Sequence, residues 1–275
     1  MKEYFEVRIP TGGDEQRSAL IVAGLSGLGF GGFVEEEGAV LTYLERDERS
    51  PEDFREWLSA SGFAEAEINI IGEKNWNEQW EQDYRPVIVG GNIMVRAPFH
   101  EPMPGITHDI IIEPRMAFGT AHHETTAMML GMIPEIDPGG KHVLDMGCGT
   151  AVLAILAHKL GAAAIMAVDN DEWAYANSVD NVRINDASNI EVVRGDAGDI
   201  AQRHFDIIFA NINRNILLQD IPRYAASLRK PGKLLMSGFY SNDLPMIEET
   251  AEKYGLKLEH ARTVNDWTAA LFTIS

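Results

Sequence analysis

From about residue 122 onward, apolar strand-like runs alternate strictly with helical stretches, and this alternation is the tightest constraint on what the chain can fold into. The pattern predicts a helix over 122–133, a strand over 142–146, a helix over 152–160 and a strand over 164–169. A helix over 172–185, strands over 190–195 and 205–211, and a helix over 214–228 follow. A strand over 233–238, a helix over 243–254 and strands near 256–262 and 267–274 complete the series. The strands are continuous apolar runs, as a parallel sheet covered on both faces requires. Val264–Asp266 separates the last two closely enough for a hairpin, which would make the final strand antiparallel. The expectation is a Rossmann-like α/β domain with a seven-stranded sheet.

The first 72 residues read differently. Tyr4–Ile9 looks like a strand, Asp14 like a helix N-cap, and Gly29 like the end of that helix. Two short strands around Gly38 suggest a hairpin, Ser50-Pro51 starts a second helix, and Ala66–Ile71 returns to a strand. The order β-α-β-β-α-β is that of a small α+β ferredoxin-like domain. The expected organisation is residues 1–72 as that domain, 73–84 as a linker helix carrying Trp76 and Trp80, and 85–275 as the α/β domain.

Composition narrows the class. No apolar run reaches the roughly 18 residues of a membrane span, and MKEYFEVRIP has no signal-peptide character. The single cysteine, Cys148, leaves no intramolecular disulfide and no Cys-rich zinc site. The expectation is a cytoplasmic protein with no membrane association, monomeric by default. The net charge is −19. Residues 1–80 hold 17 acidic against 7 basic side chains, a net of −10, and the other 195 hold 25 against 16, a net of −9. Nucleic-acid binding needs a basic footprint to displace counterions, so no direct nucleic-acid partner is expected. An acidic N-terminal third suits a basic macromolecule.

The most informative stretch is Val143–Ala151, VLDMGCGTA, a strand running into a small-residue turn before a helix. Gly147 and Gly149 let a ligand approach the backbone. Asp169, ending the next strand, is placed to accept both hydroxyls of a ribose. A dinucleotide fingerprint fails, because its third glycine falls on Val152, or its second on Ala151. A phosphate-binding Gly-Lys-Ser/Thr is absent too. What remains is Asp-x-Gly-x-Gly, whose acid, Asp145, suits the cationic amine end of S-adenosylmethionine and would repel a pyrophosphate. Asp196, after the third strand, could bond an adenine amino group or cap its loop.

Two further segments belong with it. FANINRN, residues 209–215, places Asn211 at the end of the fourth strand, beside the expected ligand crevice, where its amide can accept hydrogen bonds from a substrate amine. Asn213 and Asn215 look like helix caps. MAFGTAHHETT, residues 116–126, feeds a helix whose start offers Thr125 and Thr126 to a cofactor carboxylate. His122 and His123 point in different directions, which argues against a shared metal; one histidine could line the site, and Glu124 could cap the helix.

FGTAHHETT, VLDMGCGTAVLAILAHKLGA, AVDNDEWA and FANINRN, with NWNEQWEQDYRPVIVG upstream, together resemble the ribosomal protein L11 methyltransferase family. The resemblance runs in order over about residues 74–240. It implies a substrate-recognition domain, a linker helix and a class I methyltransferase domain. It also implies S-adenosylmethionine as methyl donor, S-adenosylhomocysteine as product, and lysine and α-amino groups of ribosomal protein L11 as acceptors. The family's cofactor positions fall on Thr126, Gly147, Asp169 and Asn211. Where the family usually carries glycine this chain has Ala121 and Ala151, which would add methyls beside the expected cofactor path. No compelling general base is visible, so Asn211 is expected to orient the amine while water takes its proton. The alternatives are another protein lysine substrate, such as the electron-transfer flavoprotein β-subunit, or a non-catalytic cofactor-binding adaptor. RNA methylation is disfavoured by charge.

Overall fold

Strands β1 (Glu3–Pro10), β2 (Gly31–Glu36), β3 (Ala39–Glu45) and β4 (Glu67–Gly72) form an antiparallel sheet in the order β2-β3-β1-β4. Helices α1 (Glu15–Ser26) and α2 (Pro51–Ala60) alternate with them as the ferredoxin-like order demands. Both helices start where the sequence predicts. Asp14 Oδ1 accepts from Arg17 N, and Ser50 Oγ accepts from Asp53 N with Pro51 at the first helical position. Phe5, Val7 and Ile9 alternate onto one face of β1, where they meet Leu25, Phe54 and Leu58. The Phe5 and Phe54 rings stack at 3.8 Å. The computed structural model describes residues 3–28, 30–36, 38–46, 50–72, 84–114, 119 and 121–275. The chain divides into units Met1–Asp83 and Tyr84–Ser275. The helix expected over 73–84, with Trp76 and Trp80, lies outside the described residues except for Tyr84, which is not helical, and Gly29 lies outside them too.

The second unit opens with a small sheet of β5 (Val87–Val89), β6 (Ile93–Arg96) and β7 (His108–Ile111), the first pair antiparallel and the second parallel. After α3 (Glu124–Ile136) come β8 (His142–Met146), α4 (Val152–Lys159), β9 (Ala164–Asp169), α5 (Glu172–Ile184) and β10 (Ile190–Arg194). Then follow β11 (Phe205–Asn211), α6 (Arg214–Ser227), β12 (Leu228–Tyr240), α7 (Leu244–Glu252), β13 (Leu256–Val264) and β14 (Trp267–Ile274). Seven of these strands form one sheet in the order β10-β9-β8-β11-β12-β14-β13. Strands β8 to β12 are parallel, and β14 is antiparallel to both neighbours. The hairpin joining β13 to β14 turns on Asn265 and Asp266, both with positive φ (47° and 70°), as a two-residue hairpin loop with the right-handed strand twist requires.

Each central strand serves two cores, which is why these strands lack polar alternation. Val143, Ile207 and Phe209 face the core built with α3 and α4. Leu144, Met146, Ile208 and Ala210 face the core built with α6 and α7. The strand order reverses between β8 and β11, so a crevice opens beyond their carboxyl ends, where ligands bind in such sheets. Among the described residues no helix is long and apolar enough to cross a membrane.

Candidate active site

A cleft of about 1030 Å³ occupies that crevice. Thr126, Gly147, Gly149, Asp169, Asp196 and Asn211 all line it, so the topology gathers six of the seven singled-out residues from five separate segments.

Gly147 and Cys148 donate their N–H groups to Val168 O at 2.8 and 3.0 Å, pinning the glycine-rich turn to the end of β9. Gly147 has φ +68°, and a Cβ there would stand 2.3 Å from Ile212 Cγ2. Glycine is therefore required by the approach of the β11 loop as well as by open access to a ligand. Asp169 Oδ2 accepts from Gly149 N at 2.9 Å and Oδ1 from Asp171 N at 3.0 Å. Each oxygen keeps a second lone-pair site for a ligand hydroxyl. Asp196 lines the cleft and also caps its loop, with Oδ1 accepting from Gly198 N at 2.6 Å.

Asp145 departs from the expectation that it faces the ligand. It lies on the same face of β8 as Val143, two residues away, and so points toward α4 beneath the cleft. The side chain is 1% exposed, and Oδ2 accepts from Ala154 N at 3.1 Å. Oδ1 is buried without a partner among the described residues. Burial pushes this carboxyl up to about 7 against the pull of the Ala154 N–H, and the Asp169 charge adds to the rise. Burial, with Asp145 and Asp169 nearby, also drives the Cys148 thiol well above its ordinary range, which keeps it protonated and unreactive.

Asn211 sits opposite. Its Nδ2 donates to Thr126 Oγ1 at 3.1 Å, and its Oδ1 is buried with no partner among the described residues. Thr126, 1% exposed, occupies the first turn of α3. The cap of that helix is His123, whose Nδ1 accepts from Thr125 N at 3.3 Å. Glu124, expected to cap, is not the N-cap residue but bonds its own N–H in the first turn, and it also accepts from Asn265 Nδ2 at 3.2 Å, which ties α3 to the β13–β14 hairpin. Asn213 caps α6 by accepting from Ile216 N, but Asn215 does not cap; its Oδ1 accepts from Arg214.

His123 lines the cleft, whereas His122 Nε2 pairs with Arg85 O. With Nδ1 occupied by the cap, a neutral His123 carries its proton on Nε2 and offers no lone pair for general-base work. Trp267, which sequence reasoning missed, lines the cleft too. It packs on Tyr240 at 4.3 Å and edge-on to His123 at 4.9 Å. Nothing local marked it, because β14 meets β12 only through the final sheet order.

Ala121 and Ala151 adopt left-handed backbone, φ +66° and +63°, a conformation that glycine takes up without penalty. Neither lines the cleft. Both methyls are buried in the core beneath α3 and α4, contrary to the expectation that they would flank the cofactor path. Gly119, at φ +106°, abuts Thr150, whose Oγ1 donates to Gly119 O at 2.7 Å.

Among the described residues the lining includes four carboxylates (Asp169, Asp171, Asp196 and Asp220) and no lysine or arginine. That acidic, acceptor-rich lining fits a cationic ligand with hydroxyl and amino donors and opposes a pyrophosphate.

A model of the family described as Ribosomal protein L11 methyltransferase (PrmA) matches residues 33–274. The chain is similar to the ribosomal protein L11 methyltransferase of Phocaeicola vulgatus, 41% identical over 277 residues covering 98% of this chain and 99% of the relative. It is likewise similar to that of Porphyromonas gingivalis, 43% identical over 260 residues covering 92% and 90%. Among solved structures it resembles a ribosomal protein L11 methylase from Lactobacillus delbrueckii subsp. bulgaricus. That likeness has a TM-score of 0.65 at 25% identity and covers 70% of this chain and 100% of the other. A methyltransferase from Pyrococcus furiosus shares the fold, with a TM-score of 0.51, 20% identity and coverage of 59% and 87%. Matched over most of its length by the family model and by near full-length relatives, the chain belongs to the ribosomal protein L11 methyltransferase family.

Proposed function

We propose that this protein transfers methyl groups from S-adenosylmethionine to lysine and N-terminal amines of ribosomal protein L11, acting as a cytoplasmic monomer. The observation that carries the reading is the buried, unpartnered Asn211 Oδ1 in an otherwise acidic cleft. An orphaned acceptor costs stability, and an incoming amine N–H would satisfy it. Asp169 would hold the ribose hydroxyls, Asp196 the adenine amino group, and Thr126 and the Gly147–Gly149 turn the amino-acid end. Asp145 would act from beneath by fixing the N-terminus of α4.

The bound cofactor would supply an electrophilic methyl on a sulfonium. The chain's own residues bind and orient. A lysine at its reference pKa of about 10.4 costs roughly 4–5 kcal/mol to neutralise at pH 7, and partial desolvation beside a cation would lower that cost. Asn211 Oδ1 then aligns the neutral amine, and the proton leaves to water, since His123 is committed to its cap. Orientation is worth several kcal/mol in such reactions.

The first unit would recognise the substrate. Residues 1–80 carry a net −10, which suits a basic ribosomal protein. The test is intact-mass spectrometry of L11 incubated with this protein and S-adenosylmethionine. Steps of about 14 Da per methyl, absent without cofactor, are expected. No added mass, with cofactor binding demonstrated, would reject L11 as substrate and retain the methyl donor.

A further inference from the structure

Helix α5 carries asparagines at 177 and 181, and Asn185 is its C-cap; the three are spaced i, i+4, i+8 and all are at most 7% exposed. Asparagine is a poor helix former, because its side chain competes for backbone groups, so two buried copies inside one helix, with a third at its C-cap, call for an account. Their hydrogen bonds supply it. Asn185 exchanges two bonds with Ile111, accepting from its N–H at 3.0 Å and donating to its carbonyl at 2.6 Å. Asn181 Oδ1 accepts from Glu113 N at 2.8 Å, and Asn177 Nδ2 donates to Glu113 O at 3.2 Å. The row thus pairs with the backbone leaving β7 as a neighbouring strand would.

Asn181 reaches further. Its Nδ2 also donates to Thr150 O at 3.0 Å. Thr150 is fully buried, and its hydroxyl holds Gly119 O. One residue of the glycine-rich turn is therefore gripped from α5 on one side and from the Gly119 segment on the other. The network joins Gly119 to Thr150, the residue after the Gly147–Gly149 turn, and Thr150 to α5, whose start at Trp173 and Ala174 lines the cleft with Gly119 and the turn. None of the three asparagines lines the cleft.

We propose that Asn177, Asn181 and Asn185 are positioning residues that set cofactor affinity by holding the Gly119 and Gly147–Gly149 segments in register with the start of α5. The proposal rests on the reading that the cleft binds S-adenosylmethionine. Losing the Asn181 side chain unlinks Thr150 from α5 and takes the partner from the half-buried Glu113 N–H and from the buried Thr150 carbonyl. Ligand binding must then restore an arrangement that the wild-type protein already holds.

The test is calorimetric titration of the full-length protein with S-adenosylhomocysteine, alongside thermal melts and methylation kinetics. Asn189→Ala is the matched structural control. Asn189 also pairs its side chain internally, with His158 Nδ1 at 2.6 Å and Ala162 O at 2.7 Å, but outside this network. Asn181→Ala is expected to weaken binding about tenfold, the scale of one net hydrogen bond, and to raise KM for the cofactor while kcat at saturation holds. Asn177→Ala should do the same by a smaller factor, and Asn189→Ala should lower Tm with affinity unchanged. Affinity within twofold of wild type in folded Asn181→Ala would overturn the proposal. Should that variant not fold, unchanged affinity in Asn177→Ala would overturn it equally. A wild-type protein that binds no S-adenosylhomocysteine would overturn the cofactor reading, and this proposal with it.

Discussion

Asn211 Nδ2 donates to Thr126 Oγ1 at 3.1 Å, joining the end of β11 to the first turn of α3 across 85 residues of sequence. The bond decides which atom of the amide is committed and which is offered. With Nδ2 engaged, the buried Oδ1 is left as the amide's uncommitted acceptor, the polarity that the proposed orientation of an amine N–H would use.

Asn211→Ala should therefore reduce single-turnover methylation by about 10²–10³-fold, the usual scale for one preorganised polar group. S-adenosylhomocysteine affinity should change little. Thr126→Val keeps the shape and removes the anchor, so a smaller loss of turnover, about tenfold, is expected. Equal turnover in wild type and Asn211→Ala would reject Asn211 as the orienting group.

Asp169 carries two duties, because its oxygens accept from Gly149 N and Asp171 N while facing the cleft. Asp169→Ala should abolish measurable cofactor binding in a calorimetric titration and lower stability by about 1–3 kcal/mol from the unpaired amides. A variant that still binds tightly would show that the ribose is held elsewhere.

Asp145 makes a prediction about pH. Its folded pKa of about 7 lies above the ordinary 3.8, so the folded state binds its proton more tightly than the unfolded chain does. The group's contribution to stability is then fully present below about pH 4 and is lost as pH rises toward 7. Asp145→Asn keeps an acceptor for Ala154 N and cannot ionise. Urea melts at pH 5 and pH 8 should show wild type losing on the order of 3 kcal/mol relative to Asp145→Asn. Parallel behaviour of the two proteins would mean that Asp145 titrates like an ordinary carboxyl.

Ala151 sets two small effects against each other. Its left-handed backbone costs an L-residue about 1–2 kcal/mol, while its buried methyl contributes about 0.8 kcal/mol. Ala151→Gly should consequently shift stability by less than about 1 kcal/mol in thermal melts. Because the methyl lies in the core rather than the cleft, cofactor affinity should stay within twofold. A tenfold change would place the methyl's influence in the binding site after all.

Much of this arrangement was legible in the residues. The strand runs from His142 to Ile274 announced a covered parallel sheet, since apolar side chains on both faces have no other use in water. Gly147, Gly149 and Asp169 stood out because a turn at a strand end and an acid ending the next strand are local patterns. Asp14, Ser50 and Asn213 were recognisable as caps for the same reason. His123 was not, because histidine seldom caps helices and Glu124 beside it looked the better candidate.

What the sequence by itself determined was element type, element order and the residues at strand ends, all governed by periodicity and short-range hydrogen bonding. The tertiary structure alone decided which side chains meet. It turned Asp145 under the cleft, because period-two alternation sends it to the face of Val143. It set Asn211 against Thr126, carried Trp267 to the cleft by inserting β14 between β12 and β13, and folded the Ala121 and Ala151 methyls into the core. Contacts between residues many tens of positions apart depend on how helices pack on both faces of the sheet, and no local pattern encodes that packing.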